Sequence, residues 1–89
     1  MADSLELSIQ ATPNPNAIKF TFNRVLTTQG KTYRDAASAD VEWVKRLLGI
    51  PGITQVFVLN NFLSIMKQSE ADWNDLGPQI ERVLREGLP

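Results

Sequence analysis

Apolar and polar residues alternate along residues 5–11, Leu-Glu-Leu-Ser-Ile-Gln-Ala. A period of two predicts a strand with Leu5, Leu7, Ile9 and Ala11 on one face. Residues 12–16, Thr-Pro-Asn-Pro-Asn, hold two prolines and two asparagines. Such a stretch sustains neither ladder nor helix, so it predicts a corner. Alternation resumes over residues 17–23, with Ile18, Phe20 and Phe22 on one face and Lys19 and Thr21 on the other. Residues 24–37 carry no clear period. Val25 and Leu26 either extend a strand or anchor a loop, Gly30 marks a turn, and Thr32-Tyr33-Arg34 reads as a short edge strand.

The period changes over residues 39–49. Val41, Val44, Leu47 and Leu48 recur at helical spacing, with Trp43 at the edge of the stripe. Ser38 or Asp40 is the expected cap, and Gly49 followed by Pro51-Gly52 ends the helix. Residues 53–59 and 62–67 are two strands joined by Asn60-Asn61, a pair that tolerates positive φ and so predicts a tight hairpin. That turn sets the register: Leu59 faces Phe62, Val58 faces Leu63, Phe57 faces Ser64 and Val56 faces Ile65. Ser69 and Asp72 resemble a capping arrangement. Trp73, Leu76, Ile80, Val83, Leu84 and Leu88 then share a broad helical stripe. Gly77-Pro78 interrupts it, so either this helix kinks or a first turn precedes a main helix that starts near Pro78.

The sum is strand–strand–helix–strand–strand–helix in one domain over residues 1–89. It predicts an α+β fold of two layers, with both helices on one face of a mostly antiparallel sheet. The register gives that fold a functional edge. Val56, Val58, Leu63 and Ile65 belong under the helices. Phe57, Leu59, Phe62 and Met66 then stand on the opposite face, where an open sheet normally shows polar groups. Either residues 24–37 fold over them, or they form a binding surface.

Composition removes most chemistry. The chain has no histidine and no cysteine, hence no usual base near neutral pH, no thiol nucleophile and none of the common soft metal ligands. Nine basic residues, spread along the chain, balance ten acidic ones, which argues against nucleic acid as a partner. No apolar run reaches the roughly 20 residues that span a bilayer. The first residues lack the basic start and apolar centre of a secretion signal, so the expected place is the cytoplasm. Asp72 and Asp75 are the remaining metal candidates, although acids early in a helix are also what its dipole favours. Asn14 and Asn16 offer amides on a stiff corner, suited to holding the backbone or to meeting a partner.

The residues also carry a resemblance. Thr12-Pro-Asn-Pro-Asn-Ala-Ile-Lys-Phe20 resembles the opening motif of the amino-terminal domain of the Nfu/NifU-like iron–sulfur scaffold proteins. Residues 44–57 resemble that family's helix, I-x-G-[VI] turn and third strand. Asn61-Phe-Leu-Ser-Ile-Met-Lys67 resembles its D-F-I-T-V-T-K strand. Residues 71–80 resemble the D-W-x-x-L-K-P-x-I start of its last helix. Asn61 stands where aspartate is frequent, and Gly77 where lysine is. The resemblance spans roughly residues 7–88 and implies the same small α/β fold.

It also implies a place in iron–sulfur cluster assembly. In full-length members a C-x-x-C pair in a separate carboxy-terminal domain holds the cluster, and this chain has no such pair. The expectation is therefore a non-enzymatic accessory or adaptor, monomeric or weakly homodimeric. It would meet an assembly or client protein through Phe57, Leu59, Phe62 and Met66 or through Pro13, Asn14 and Asn16. The alternative is a module that binds iron weakly, or another small ligand, through the oxygens of Asp72 and Asp75 or the charges of Lys19 and Arg24. No other cofactor is expected in the isolated chain.

Overall fold

The computed structural model describes residues 6–88. Three strands come first: β1 (Leu7–Ala11), β2 (Ala17–Phe22) and β3 (Thr27–Tyr33). A single 3₁₀ turn, Ala36–Ser38, leads to α1 (Glu42–Leu48). The hairpin β4 (Ile53–Asn60) and β5 (Phe62–Lys67) follows, and α2 (Trp73–Gly87) closes the fold. All strand pairs are antiparallel, in the order β1-β2-β5-β4-β3. Leu5, placed above on one face of β1 with Leu7, Ile9 and Ala11, lies outside the described residues.

The hairpin has the register that its turn predicts. Leu59 pairs with Phe62, Val58 with Leu63, Phe57 with Ser64 and Val56 with Ile65. Asn60 takes the positive φ of 53° that the tight turn needs. Val56, Val58, Leu63 and Ile65 are buried, and they share one core with Val44 and Leu47 of α1 and Leu76, Ile80, Val83 and Leu84 of α2. Both helices therefore lie on one face. Each fully buried side chain of this set contributes about 1.5–3 kcal/mol of transfer free energy.

Four expectations need correction. Within the segment 24–37 the expected edge strand at Thr32–Arg34 begins earlier: β3 runs seven residues alongside β4 at the sheet edge and makes the element order β-β-β-α-β-β-α. Backbone pairing to β4 forms it, despite a polar sequence and a register shift between Thr27 and Lys31. The first helix starts at Glu42, after Val41, with no side-chain cap. Asp40 is drawn elsewhere, accepting from Lys31 Nζ at 2.9 Å and from the Tyr33 hydroxyl at 2.8 Å. Ser38 belongs to the 3₁₀ turn, which Asp35 caps through a 2.8 Å bond to Ser38 N–H. At the second helix Asp72 is itself the cap, accepting from Asn74 N–H at 2.9 Å, while the Ser69 hydroxyl donates to Glu70. That helix is one continuous element with Pro78 inside it, so of the two readings the separate first turn falls.

The join between α1 and β4 explains its own sequence. Gly52 has φ of 102°, and a Cβ there would sit 3.0 Å from the Ala71 methyl. Only glycine meets both demands cheaply. Its carbonyl accepts from Gln68 N–H at 2.8 Å, so this turn also ties down the start of the segment leading into α2.

Candidate functional site

The side of the sheet away from α1 and α2 carries no helix among the described residues. Phe57, Leu59, Phe62 and Met66 stand on it, each half-buried. They are not isolated from one another. The Phe57 and Phe62 rings lie 6.2 Å apart with planes tilted by 53°, a diagonal aromatic pair across the hairpin. On β2, Lys19 holds its ammonium 4.5 Å from the centre of the Phe62 ring. Such a contact at an exposed site is worth about 0.5–1 kcal/mol. β3 passes beside this group, with Gly30 against the edges of Leu59 and Phe57. The segment 24–37 therefore flanks the apolar group and does not lie across it. Val25, 68% exposed, adds one more apolar side chain near the Asn60-Asn61 turn. An apolar surface with a cation at its margin can hold another protein's apolar side chains.

The corner at residues 12–16 is built differently. Asn14 Oδ1 accepts from Asn16 N–H at 2.9 Å, and the Thr12 hydroxyl lies within bonding distance of the Asn14 and Ala17 carbonyls. The Asn16 amide oxygen is taken by Lys67 Nζ at 3.0 Å. Lys67 is buried on the helix-covered face. Its ammonium also donates to the Gln68 carbonyl at 3.2 Å and lies 5.7 Å from the centre of the Trp73 ring. Trp73 returns the contact by donating from Nε1 to the Pro15 carbonyl at 3.0 Å. The corner thus clasps the end of β5 and the first turn of α2. Of the three corner residues named as partner contacts, Asn16 is committed inside this clasp, whereas Pro13 and Asn14 remain exposed.

Sequence pattern alone passed over Lys67, yet the signal was there. Strict alternation along β5 puts Lys67 on the same face as Leu63 and Ile65, so it points inward with its charge. A buried ammonium demands acceptors, and the asparagine-rich corner supplies one.

Both acids sit at the start of α2. Asp72 spends a carboxylate oxygen on the Asn74 N–H, and Asp75 lies in the first turn of α2. Among the described residues there is no group of three or more acidic side chains placed to hold a metal ion. Of the basic residues in the alternative reading, Lys19 lies over Phe62, and Arg24 Nε sits 3.5 Å from Asn23 Oδ1. Among the described residues neither forms an ion pair with Asp72 or Asp75. A cluster that no pattern foretold is Lys31, Tyr33 and Asp40. The Lys31 ammonium first, and the Tyr33 hydroxyl second, hold the Asp40 carboxyl below the usual carboxylate range. Burial raises the Tyr33 hydroxyl, helped by its bond to Asp40, and Asp40 raises Lys31.

The corner, the β5 terminus and the α2 start are far apart in sequence and meet in the clasp. The family model described as Scaffold protein Nfu/NifU N terminal matches residues 7–89. The chain belongs to this family. Conserved virulence factor C of Staphylococcus aureus (strain MRSA252) is 34% identical over 76 residues, which are 84% of this chain and 20% of that protein. Its counterpart in Staphylococcus haemolyticus is 29% identical over 79 residues, 88% of this chain and 21% of the relative. The chain thus spans about a fifth of the length of these curated relatives. The crystal structure of protein SAV1430 from Staphylococcus aureus has a TM-score of 0.81 at 25% identity, covering 92% of this chain and 99% of that one. A NifU-like protein from Saccharomyces cerevisiae shares the fold, with a TM-score of 0.81 at 23% identity over 93% of this chain and 77% of its own. No helix among the described residues is long and apolar enough to cross a membrane.

Proposed function

We propose that this Nfu/NifU N-terminal chain is a non-catalytic adaptor in iron–sulfur cluster assembly, working through contacts with an assembly or client protein. The observation that carries the reading is the helix-free face on which Phe57, Leu59, Phe62 and Met66 gather. The family supplies the process, and the face supplies the means. The family's name is that of a scaffold, and a chain without cysteine or histidine has no thiolate or imidazole with which to hold a cluster alone. Its contribution is then to position another protein that does. The same proposal places it in the cytoplasm, where such a partner would be found.

The test is substitution of the face in cells that depend on this protein. Phe62→Asp with Met66→Lys puts charges on the apolar group without touching the core face of the hairpin. The expected result is loss of cluster-dependent enzyme activities while the protein stays folded and abundant. Unchanged activities with a folded double variant would remove this surface from the account.

A further inference from the structure

The two edges of the sheet are unlike. Natural sheets guard their edges with lysine, proline, bulges or irregular pairing, because an open edge templates another strand. The β3 edge has such guards: a register shift, Gly30 and Lys31. The β1 edge has none. Its residues, Leu-Ser-Ile-Gln-Ala, include no charge, no proline and no bulge.

The ladder fixes what β1 offers. Asn23 N–H donates to the Glu6 carbonyl at 3.1 Å, so Glu6 and Asn23 form a hydrogen-bonded pair. Antiparallel pairs alternate, so Ser8–Thr21 and Gln10–Lys19 are bonded likewise. The backbone N–H and C=O groups of Leu7, Ile9 and Ala11 therefore point outward, away from β2. Their side chains lie on the helix side of the sheet, and Ile9 is 50% exposed there. Above it runs an open groove of about 460 Å³, walled by Gly77, Pro78, Glu81, Arg82 and Arg85 of α2.

We propose that β1 is the seam of a homodimer, with two copies pairing β1 antiparallel, Ile9 against Ile9, into one continuous sheet. The strand complements itself. In that register Leu7 faces Ala11 of the second copy, and every outward backbone group of the three residues meets its opposite, giving about six new hydrogen bonds. Each Ile9 then fills the groove of the other. The groove wall is also self-complementary. Glu81 pairs with Arg85 at 3.2 Å, and Arg82 with Glu86 at 3.3 Å. A two-fold axis through the seam runs the α2 helices in opposite directions, so this acid–base pattern meets its inverse. A wall of mixed sign selects neither an acidic nor a basic foreign peptide, whereas it matches its own inverse. The seam is separate from the Phe57–Phe62 face, so one protein can use both.

Sedimentation of the purified protein from about 10 μM to about 1 mM, with amide hydrogen exchange at both ends, tests this. The wild type should move from its 10.0 kDa monomer mass toward twice that value. The Leu7, Ile9 and Ala11 amides should gain protection with concentration, while the Ser8 and Gln10 amides, already bonded to β2, should not change. Ile9→Lys and Ile9→Pro should each weaken self-association at least tenfold; proline at this position removes only an outward donor. Phe62→Asp should dimerise as the wild type does. Monomer at every concentration would overturn the proposal. So would a dimer that persists in the folded Ile9→Lys variant, or β1 amides protected only by an added foreign peptide.

Discussion

At the scale of single residues, the most informative side chain is Lys67. Its ammonium is buried and accepted by the Asn16 amide and the Gln68 carbonyl, with no carboxylate in direct bond. Removing the Asn16 acceptor leaves a charged donor short of a partner, which costs about 1–3 kcal/mol. Asn16→Ala should therefore destabilise the protein by that amount in urea unfolding. In the Lys67→Met background the same substitution should cost much less, because the two residues share one interaction. Asp40 and Glu86 make a pH prediction at the same scale. Asp40 is held low by Lys31 and Tyr33, and Glu86 by Arg46 first and Arg82 second. A depressed carboxyl stabilises the fold above its unfolded-state range and stops doing so as pH falls through the folded value. Lys31 and Tyr33 are raised, so their contribution is present below their ordinary ranges and is lost at high pH. Melting temperature should thus stay level through neutrality, fall below about pH 4 and fall again above about pH 10. Asp40→Asn should make both limbs shallower, leaving the acid contribution of Glu86 and the alkaline contribution from burial of Tyr33.

At the scale of elements, two glycines of α2 make unequal predictions. A Cβ on Gly87 would come within 2.6 Å of the Trp43 Cβ, so this glycine sets the approach of α2 to α1. Gly87→Ala should cost about 1–3 kcal/mol through overpacking. A Cβ on Gly77 would meet nothing within 4 Å beyond its chain neighbours, but Pro78 follows it directly. Gly77→Ala should change stability by less than about 0.5 kcal/mol, since alanine's helix preference is offset by crowding of its Cβ against the Pro78 ring. Thermal unfolding of both variants checks the pair. What was legible in the sequence follows the same division by element. The β4–β5 hairpin was legible because Asn60-Asn61 fixes its register and alternation fixes its faces. The strand β3 was legible only at its Thr32-Tyr33 end, because Thr-Thr-Gln-Gly-Lys-Thr-Tyr has no hydrophobic period and its first residues form strand only by pairing with β4. The start of α1 was misplaced because Asp40, a natural cap, is bound instead to two side chains of β3. Continuity of α2 through Pro78 is decided by packing of its stripe on the core, which local propensity does not report.

At the scale of the whole molecule, the fold divides its labour between two faces and two edges. One face buries the core under α1 and α2. The other holds the aromatic group that the hairpin register made legible before any coordinates. Corner residues Asn16 and Pro15 turned out to hold the fold together, so of the two proposed contact regions the helix-free face carries the functional reading. A chemical-shift titration of the folded chain with a purified cysteine-bearing scaffold domain, set beside one with ferrous iron alone under anaerobic conditions, tests that reading most directly. The account predicts shifts confined to Phe57, Leu59, Phe62, Met66 and their neighbours on addition of the domain, and none at Asp72 or Asp75 with iron alone. Localised shifts at Asp72 and Asp75 with micromolar iron, and a silent Phe57–Met66 face, would contradict it.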